Sequence, residues 1–449
     1  MFGMIAPGLL QNPGATKQPS ATIACTSSPR ELQRTPIDGR SAAKSRTLPV
    51  EKIHVEVYQS VRVAIVHYWF LVYGGGERVV EALAEMYPEA DIFTLYRDKN
   101  CIPASLRGRK IKTSWLQYFP FARHIIRQLF PLYPTAIEAF DLRGYDLIIS
   151  SDSPPMKGVK VSADQLHICY CHTPGRYIWD LFEAFRDSRP FGTRTLFSLL
   201  AARLRRWDYR AAQRVDCFVA SSQFVAARIR RFYHRESTVV FPPVTTAREA
   251  PEVPKDGYIH VGRLVDNKRI DILIEACNRL KRKLNVVGTG RDKQHLKAIA
   301  GDTIKFLGRV SDEELARVYS SAKALLFAAE EDFGIVPLEA QSYGRPVIAF
   351  KRGGALETVR GDLADHPTGL FFDHQNADSL AEAIVEFESR EHLFNPEVIR
   401  ANARRFDAPI FKDRMQRLVD REMRRKQASV GARLASNRLG ANQVPIQID

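Results

Sequence analysis

The sequence predicts an α/β protein made of two domains, each a parallel sheet flanked by helices. Two separate series of short apolar runs alternate with segments of helical spacing, the pattern that a parallel sheet with crossover helices requires. A turn-rich, mixed-charge stretch at 245–257, with Pro251 and Pro254, divides the two series. The chain has 449 residues. Single hydrophobic cores stop growing near about 250–300 residues, so two cores are expected.

Residues 1–60 open with a stretch rich in Pro, Ser, Thr, Gly and basic side chains without a sustained period, which predicts a disordered extension. The first domain is expected at 61–243. It starts with a strand at 61–66, a loop of Gly74, Gly75 and Gly76, and a helical segment, followed by strands at 90–96, 147–150, 167–170 and 217–220. The second domain, 258–408, reads as strands at 258–261, 284–287, 304–306, 324–327 and 347–349. Helices are expected around 270–282, 292–300, 312–322, 337–343 and 377–389, then a basic amphipathic helix at 409–425 and a mobile tail at 426–449.

Composition narrows the partners. The chain is 45% hydrophobic and 26% charged, as in ordinary globular proteins, and has no apolar run long enough to cross a bilayer. A formal charge of +15 implies an anionic partner: a nucleic acid, an anionic membrane surface or a phosphorylated substrate. Nucleic acid is disfavoured, because the basic residues are not interleaved into a stacking-aromatic motif. No basic segment precedes a continuous apolar core near the start, which predicts a cytoplasmic protein. The six cysteines are scattered, as reduced thiols would be. Cys169, Cys171 and His172 lack a second Cys/His cluster, so neither a metal nor a cofactor is expected.

The most informative stretch is 330–350. Glu331 and Glu339 stand eight residues apart around a Gly-Ile-Val-Pro turn, between the end of an apolar run and a helix whose first turn takes Pro337. Backbone N–H groups at a helix start favour phosphate, and carboxylates accept hydrogen bonds from ribose or sugar hydroxyls. A nucleotide sugar has both parts. A capped helix with solvated acids would explain either Glu alone. The whole string resembles the E-x7-E signature of the retaining glycosyltransferases of family four, whose members have the GT-B architecture. That resemblance implies two Rossmann-like domains facing an interdomain cleft, with the C-terminal helix crossing back to the first. It also implies that Glu331 approaches the transferred sugar, that Glu339 binds the donor ribose, and that Phe333, Gly334 and Ile335 form the loop holding sugar and phosphate.

The remaining candidates follow other strand ends. Arg263 can fork two phosphate oxygens and Lys268 can add a point charge to the same diphosphate, where a solvated basic loop is the plainer alternative. By resemblance they neutralise the leaving nucleoside diphosphate in place of a metal. Gly288, Gly290, Arg309 and Val310 match loops that surround the nucleotide. The Gly75 and Gly76 loop lets backbone approach a diphosphate closely, and an ordinary tight turn would look the same. His172, in a His-Thr-Pro string, matches the position that contacts the donor sugar from the acceptor side, although a lone His is usually structural.

The strings Tyr-Gly-Gly-Gly-Glu-Arg-Val-Val, from Tyr73, and Cys-His-Thr-Pro-Gly-Arg-Tyr, from Cys171, look most like bacterial mannosyltransferases of the O-antigen and exopolysaccharide type. The resemblance implies GDP-mannose as donor and a glycan or polyprenyl-diphosphate-linked acceptor. A UDP-sugar donor, or an epimerase or hydrolase of the same architecture, are the alternatives. His67 stands where the family commonly has His-Asp-Trp, here His-Tyr-Trp, which puts an acceptor contact there in doubt. Residues 186–214 alternate arginines with Leu196, Phe197, Leu199, Leu200, Leu204 and Trp207. That composition fits an interfacial helix on anionic lipid at the inner face of the membrane, and equally a core-packed helix with a solvated basic face.

Overall fold

The computed structural model describes residues 61–246 and 251–441, with 433–441 as backbone only. The extension expected at 1–60 lies outside the described residues. The first sheet comprises β1 (Val63–Phe70), β2 (Asp91–Arg97), β3 (Ile111–Thr113), β4 (Leu147–Asp152), β5 (Leu166–Cys171), β6 (Cys217–Ala220) and β7 (Ser237–Val239). Its order is β3-β2-β1-β4-β5-β6-β7, with every pairing parallel. The second sheet comprises β8 (Tyr258–Val261), β9 (Leu284–Val287), β10 (Ile304–Gly308), β11 (Ala324–Phe327), β12 (Val347–Phe350) and β13 (Gly369–Phe372). Its order is β10-β9-β8-β11-β12-β13, again all parallel.

In both sheets the chain runs outward from a central strand and then restarts on that strand's other side. The order reverses between β1 and β4, and between β8 and β11. Loops leaving the carboxyl ends of those strands diverge there and open a crevice, which is where ligands bind in open α/β sheets.

Three short strands escape the sequence reading, and all lie at sheet edges. β3 and β7 have three residues each, too few to show a period, and β13 begins with a glycine. Gly369 is needed there because a Cβ would meet the backbone carbonyl of Val347 on the neighbouring strand.

A buried ionic cluster fixes the first domain near the end of β4. Lys157 Nζ lies 3.2 Å from Asp152 Oδ2 and also bonds Asp208 Oδ1. Trp179 Nε1 and the Tyr233 hydroxyl both donate to Asp208 Oδ2, at 2.9 and 2.8 Å. Removing one partner of such a cluster leaves an unpaired charge in the core, which typically costs about 3–5 kcal/mol. The cluster ties β4, the segment after His172 and the helix Phe191–Gln213 together.

Two crossings join the domains, and they hold each other. Val244 N–H donates to the Phe406 carbonyl at 3.0 Å, and Thr246 N–H to Asp407 Oδ1 at 3.0 Å. Phe241, Phe333 and Phe406 pack together beside them. The last helix, Ala408–Ala441, then returns to the first domain, burying Phe411, Met415, Leu418 and Val419 in the cluster that holds Val63, Ile65 and Val79. It continues past 425 through part of the stretch read from sequence as a mobile tail. Good helix formers dominate that stretch, and Lys426 Nζ reaches Asp216 Oδ1 at 2.9 Å. Residues 442–449 lie outside the described residues.

Candidate functional site

Every candidate residue lies in a segment that follows the carboxyl end of a strand. Arg263 and Lys268 follow β8, Gly288 and Gly290 follow β9, Arg309 and Val310 follow β10, and the stretch from Glu331 to Glu339 follows β11. Gly75 and Gly76 follow β1, and His172 follows β5 directly. Topology therefore brings the β8 and β11 loops side by side, since the two strands are neighbours at the second sheet's reversal point. Lys268 Nζ bonds Glu331 Oε1 across that point, with both side chains about four-fifths shielded. Arg263, in the same segment after β8 as Lys268, is exposed.

Glu339 sits in the helix Ile335–Ser342, which starts at Gly334. Gly334 has φ +87°, a left-handed conformation that favours glycine. Glu339 Oε1 accepts from Arg78 Nη2 at 2.8 Å, and Oε2 accepts from the Tyr319 hydroxyl at 3.4 Å. Arg78 belongs to the first domain, so this ion pair closes the cleft. Burial draws the Arg78 pKa down, but Glu339 outweighs it and holds the guanidinium above its ordinary value.

Further contacts span the cleft. Thr173 Oγ1 donates to Asp332 Oδ1 at 3.1 Å, and the Ser222 hydroxyl donates to the Asp332 carbonyl. Burial raises the Asp332 carboxyl pKa, with Arg228 opposing it. Glu357 accepts the backbone N–H groups of Gln223 and Phe224 at 2.7 and 3.0 Å. Those donors begin the helix Gln223–Tyr233 and would otherwise lack partners, so a second-domain carboxylate caps a first-domain helix.

On the opposing wall, His172 Nε2 lies 2.8 Å from Ser151 Oγ, and Ser151 Oγ lies 3.2 Å from His67 Nδ1. Burial, followed by the nearby His67, pushes the His172 pKa down to about 3, so its ring is neutral at physiological pH. His67 is fully buried, which makes it a support beneath His172 and removes it as a direct acceptor contact.

The glycines have packing reasons of their own. A Cβ on Gly75 would come 2.6 Å from Ile335 Cδ1 across the cleft, and one on Gly76 would come 2.7 Å from the Tyr68 hydroxyl. Gly288, at φ +133°, lies against the Gly262 carbonyl, and Gly290 against the Leu264 carbonyl. These four positions allow backbone to approach protein, whatever else they admit. The Phe333 side chain is buried in the interdomain aromatic cluster, which leaves only its backbone to offer to a ligand. Arg309 is exposed and Val310 packs on the second core, two strands away from the Lys268–Glu331 pair in the sheet order.

Sequence reasoning missed Arg78, Asp332, Glu357 and Ser151 as site residues. Arg78 and Asp332 lie inside strings already quoted for the family resemblance, but no spacing pattern announces a pair formed 261 residues apart.

Two facing Rossmann-like domains with the final helix returned to the first define the GT-B class. Residues 73–248 match the model "Glycosyltransferase Family 4", and residues 246–406 match "Glycosyl transferases group 1". The chain belongs to glycosyltransferase family four.

It is 31% identical over 205 residues to a GDP-mannose-dependent monoacylated alpha-(1-6)-phosphatidylinositol monomannoside mannosyltransferase of Corynebacterium glutamicum, covering 38% of this chain and 52% of that one. The human alpha-1,3/1,6-mannosyltransferase ALG2 is 26% identical over 292 residues, covering 56% of this chain and 66% of that one. The matches span 52% and 38% of the first two curated relatives' lengths. Among solved structures, Anabaena Alr3699/HepE in complex with UDP matches with a TM-score of 0.61 at 17% identity, covering 80% of this chain and 100% of that one. Sucrose-phosphate synthase from Thermosynechococcus elongatus matches with a TM-score of 0.59 at 20% identity, covering 80% and 98%.

Proposed function

We propose that the protein is a retaining glycosyltransferase that moves mannose from GDP-mannose onto a glycan or polyprenyl-diphosphate-linked acceptor in cell-surface polysaccharide synthesis. The observation that carries this reading is the meeting of Lys268 with Glu331 at the second sheet's reversal point, in the segment after β8 that also carries Arg263. Cations and a carboxylate within one crevice suit a ligand with both a diphosphate and sugar hydroxyls.

In the proposed reaction Arg263 and Lys268 hold the donor diphosphate. The bond between the anomeric carbon and phosphate oxygen breaks, the acceptor hydroxyl oxygen bonds the same face of that carbon, and the hydroxyl proton passes to the leaving phosphate oxygen. Charge stabilisation by fixed cations is the main contribution asked of the protein. Glu331 accepts hydrogen bonds from the sugar and orients it, Glu339 accepts from the ribose, and His172 meets the sugar from the first domain. Gly288, Gly290, Arg309 and Val310 line the nucleotide, with Phe333, Gly334 and Ile335 offering backbone N–H groups. Arg78 occupies Glu339 in the structure, so a ribose must share or displace it.

The relatives' names support GDP-mannose, since those from Corynebacterium glutamicum and Mycobacterium tuberculosis are called GDP-mannose-dependent. The Anabaena neighbour bound to UDP is the reason to keep a UDP-sugar as the alternative donor. For the acceptor side, the helix Phe191–Gln213 buries Phe197, Ala201 and Leu204 while leaving Phe191, Leu196 and Leu199 exposed among arginines. An apolar, basic outer face supports contact with anionic lipid, where a lipid-linked acceptor would reside. Among the described residues no helix is long and apolar enough to cross a membrane.

The test is turnover of GDP-mannose and UDP-glucose with and without a polyprenyl-diphosphate-linked glycan supplied in anionic or neutral vesicles. Acceptor-dependent mannose transfer, faster on anionic vesicles and retaining the anomeric configuration, is expected. Turnover that ignores the acceptor would instead identify a hydrolase or epimerase, and equal rates on both vesicles would remove the lipid contact.

A further inference from the structure

A connected line of polar groups runs from the interior of the first domain to the candidate site. Glu77 lies in the first turn of the helix Gly75–Met86 and is buried. Its Oε1 is 3.6 Å from His67 Nε2, a ring nitrogen with no hydrogen-bond partner among the described residues, where the carboxylate is the charge it faces most closely. The other ring nitrogen of His67 lies 3.2 Å from Ser151 Oγ, and the same oxygen lies 2.8 Å from His172 Nε2. Glu77, His67 and Ser151 are all buried, and His172 is the first member that solvent reaches. The line exists because β1 and β4 are neighbours at the reversal point, where His67 pairs in register with Ser151, and because His172 follows β5 on β4's other side.

We infer that Glu77, His67 and Ser151 are positioning residues that fix which ring nitrogen of His172 carries its proton. A carboxylate draws a proton onto the nearer nitrogen, so Nε2 of a neutral His67 is the N–H and Nδ1 is the acceptor. The Ser151 hydroxyl has one proton, and it donates to His67 Nδ1. Its oxygen is then an acceptor and takes the Nε2–H of His172. Each bond fixes the next, and His172 Nδ1 is left as a bare acceptor. An acceptor nitrogen suits a sugar hydroxyl and repels a phosphate oxygen. That consequence for a sugar rests on the proposed function, whereas the tautomer itself does not.

The experiment is nitrogen NMR of the full chain labelled at histidine ring nitrogens, at neutral pH, with His172→Gln used to assign its resonances. In the wild type, His172 is expected to show a pyridine-type Nδ1 and a pyrrole-type Nε2. Ser151→Ala should move both to intermediate values, as the two tautomers exchange, and Ser151→Thr should restore them. Glu77→Leu should move them part of the way. A wild-type His172 protonated at Nδ1, as a doubly protonated His67 would produce, would overturn the inference. So would Ser151→Ala resonances identical to wild type. If Ser151→Ala does not fold, the wild-type spectrum alone decides. The expected tautomer in a protein that turns over no nucleotide sugar would refute the transferase reading and leave the positioning line standing.

Discussion

Glu331→Gln is expected to lower sugar transfer on the order of 10²–10³-fold, the usual loss when one preorganised electrostatic group leaves a reacting centre. The substitution keeps the side chain's shape and removes its charge. Affinity for the nucleoside diphosphate should change little, because the phosphates are assigned to Arg263 and Lys268. Lys268 is bonded to Glu331 in the structure, so removing the carboxylate releases the ammonium toward phosphate and binding should hold or tighten. Titration of GDP beside the turnover assay separates the two effects. Lost nucleotide affinity with normal turnover at saturation would contradict the assigned role.

Stability should fall steeply as the pH drops from about 7 toward about 5, because three shielded histidines are neutral in the folded protein. Burial pushes His167 and His260 down to about 4 and, with His67 nearby, pushes His172 down to about 3. Each titrates near pH 6.5 when unfolded, so below that value the unfolded chain binds more protons and stability declines as pH falls. Each contributes at most about 1.4 kcal/mol per pH unit, and the partly exposed His172 less. Among the described residues His167 Nδ1 and His260 Nε2 have no hydrogen-bond partner, so a proton placed on either would be unsatisfied in the core. Asp332 and Glu357, whose pKa values burial raises, oppose this trend in more acidic solution. Urea midpoints across the interval should therefore drop progressively, and a flat midpoint would contradict neutral histidines.

Most of the fold was legible because apolar runs and glycine loops carry strong local signals. The ten strands expected from sequence all form, whereas β3 and β7 were too short to show a period and β13 opens on a glycine. The halves of the candidate site were legible for the same reason. Glu331 and Glu339 lie in one string, and Arg263 and Lys268 in another. Their meeting was not, because Lys268 finds Glu331, and Arg78 finds Glu339, only through sheet order and domain closure. The glycine loops taught a different lesson. Gly288 and Gly290 answer to backbone crowding against residues 262 and 264, a demand as local as the donor contact suggested by resemblance. The acceptor contact that the His-Tyr-Trp departure put in doubt is absent at His67, whose side chain is buried beneath the site.

The proposed binding of a nucleotide sugar by Arg263 and Lys268 lies in the crevice between β8 and β11. It is tested most directly by the thermal stabilisation of the protein with GDP, UDP and ADP. A ligand at a hundred times its dissociation constant adds about 2.7 kcal/mol. Selective stabilisation by GDP, lost in Arg263→Ala, is the predicted result. No stabilisation by any of the three, or stabilisation that survives Arg263→Ala unchanged, would contradict it.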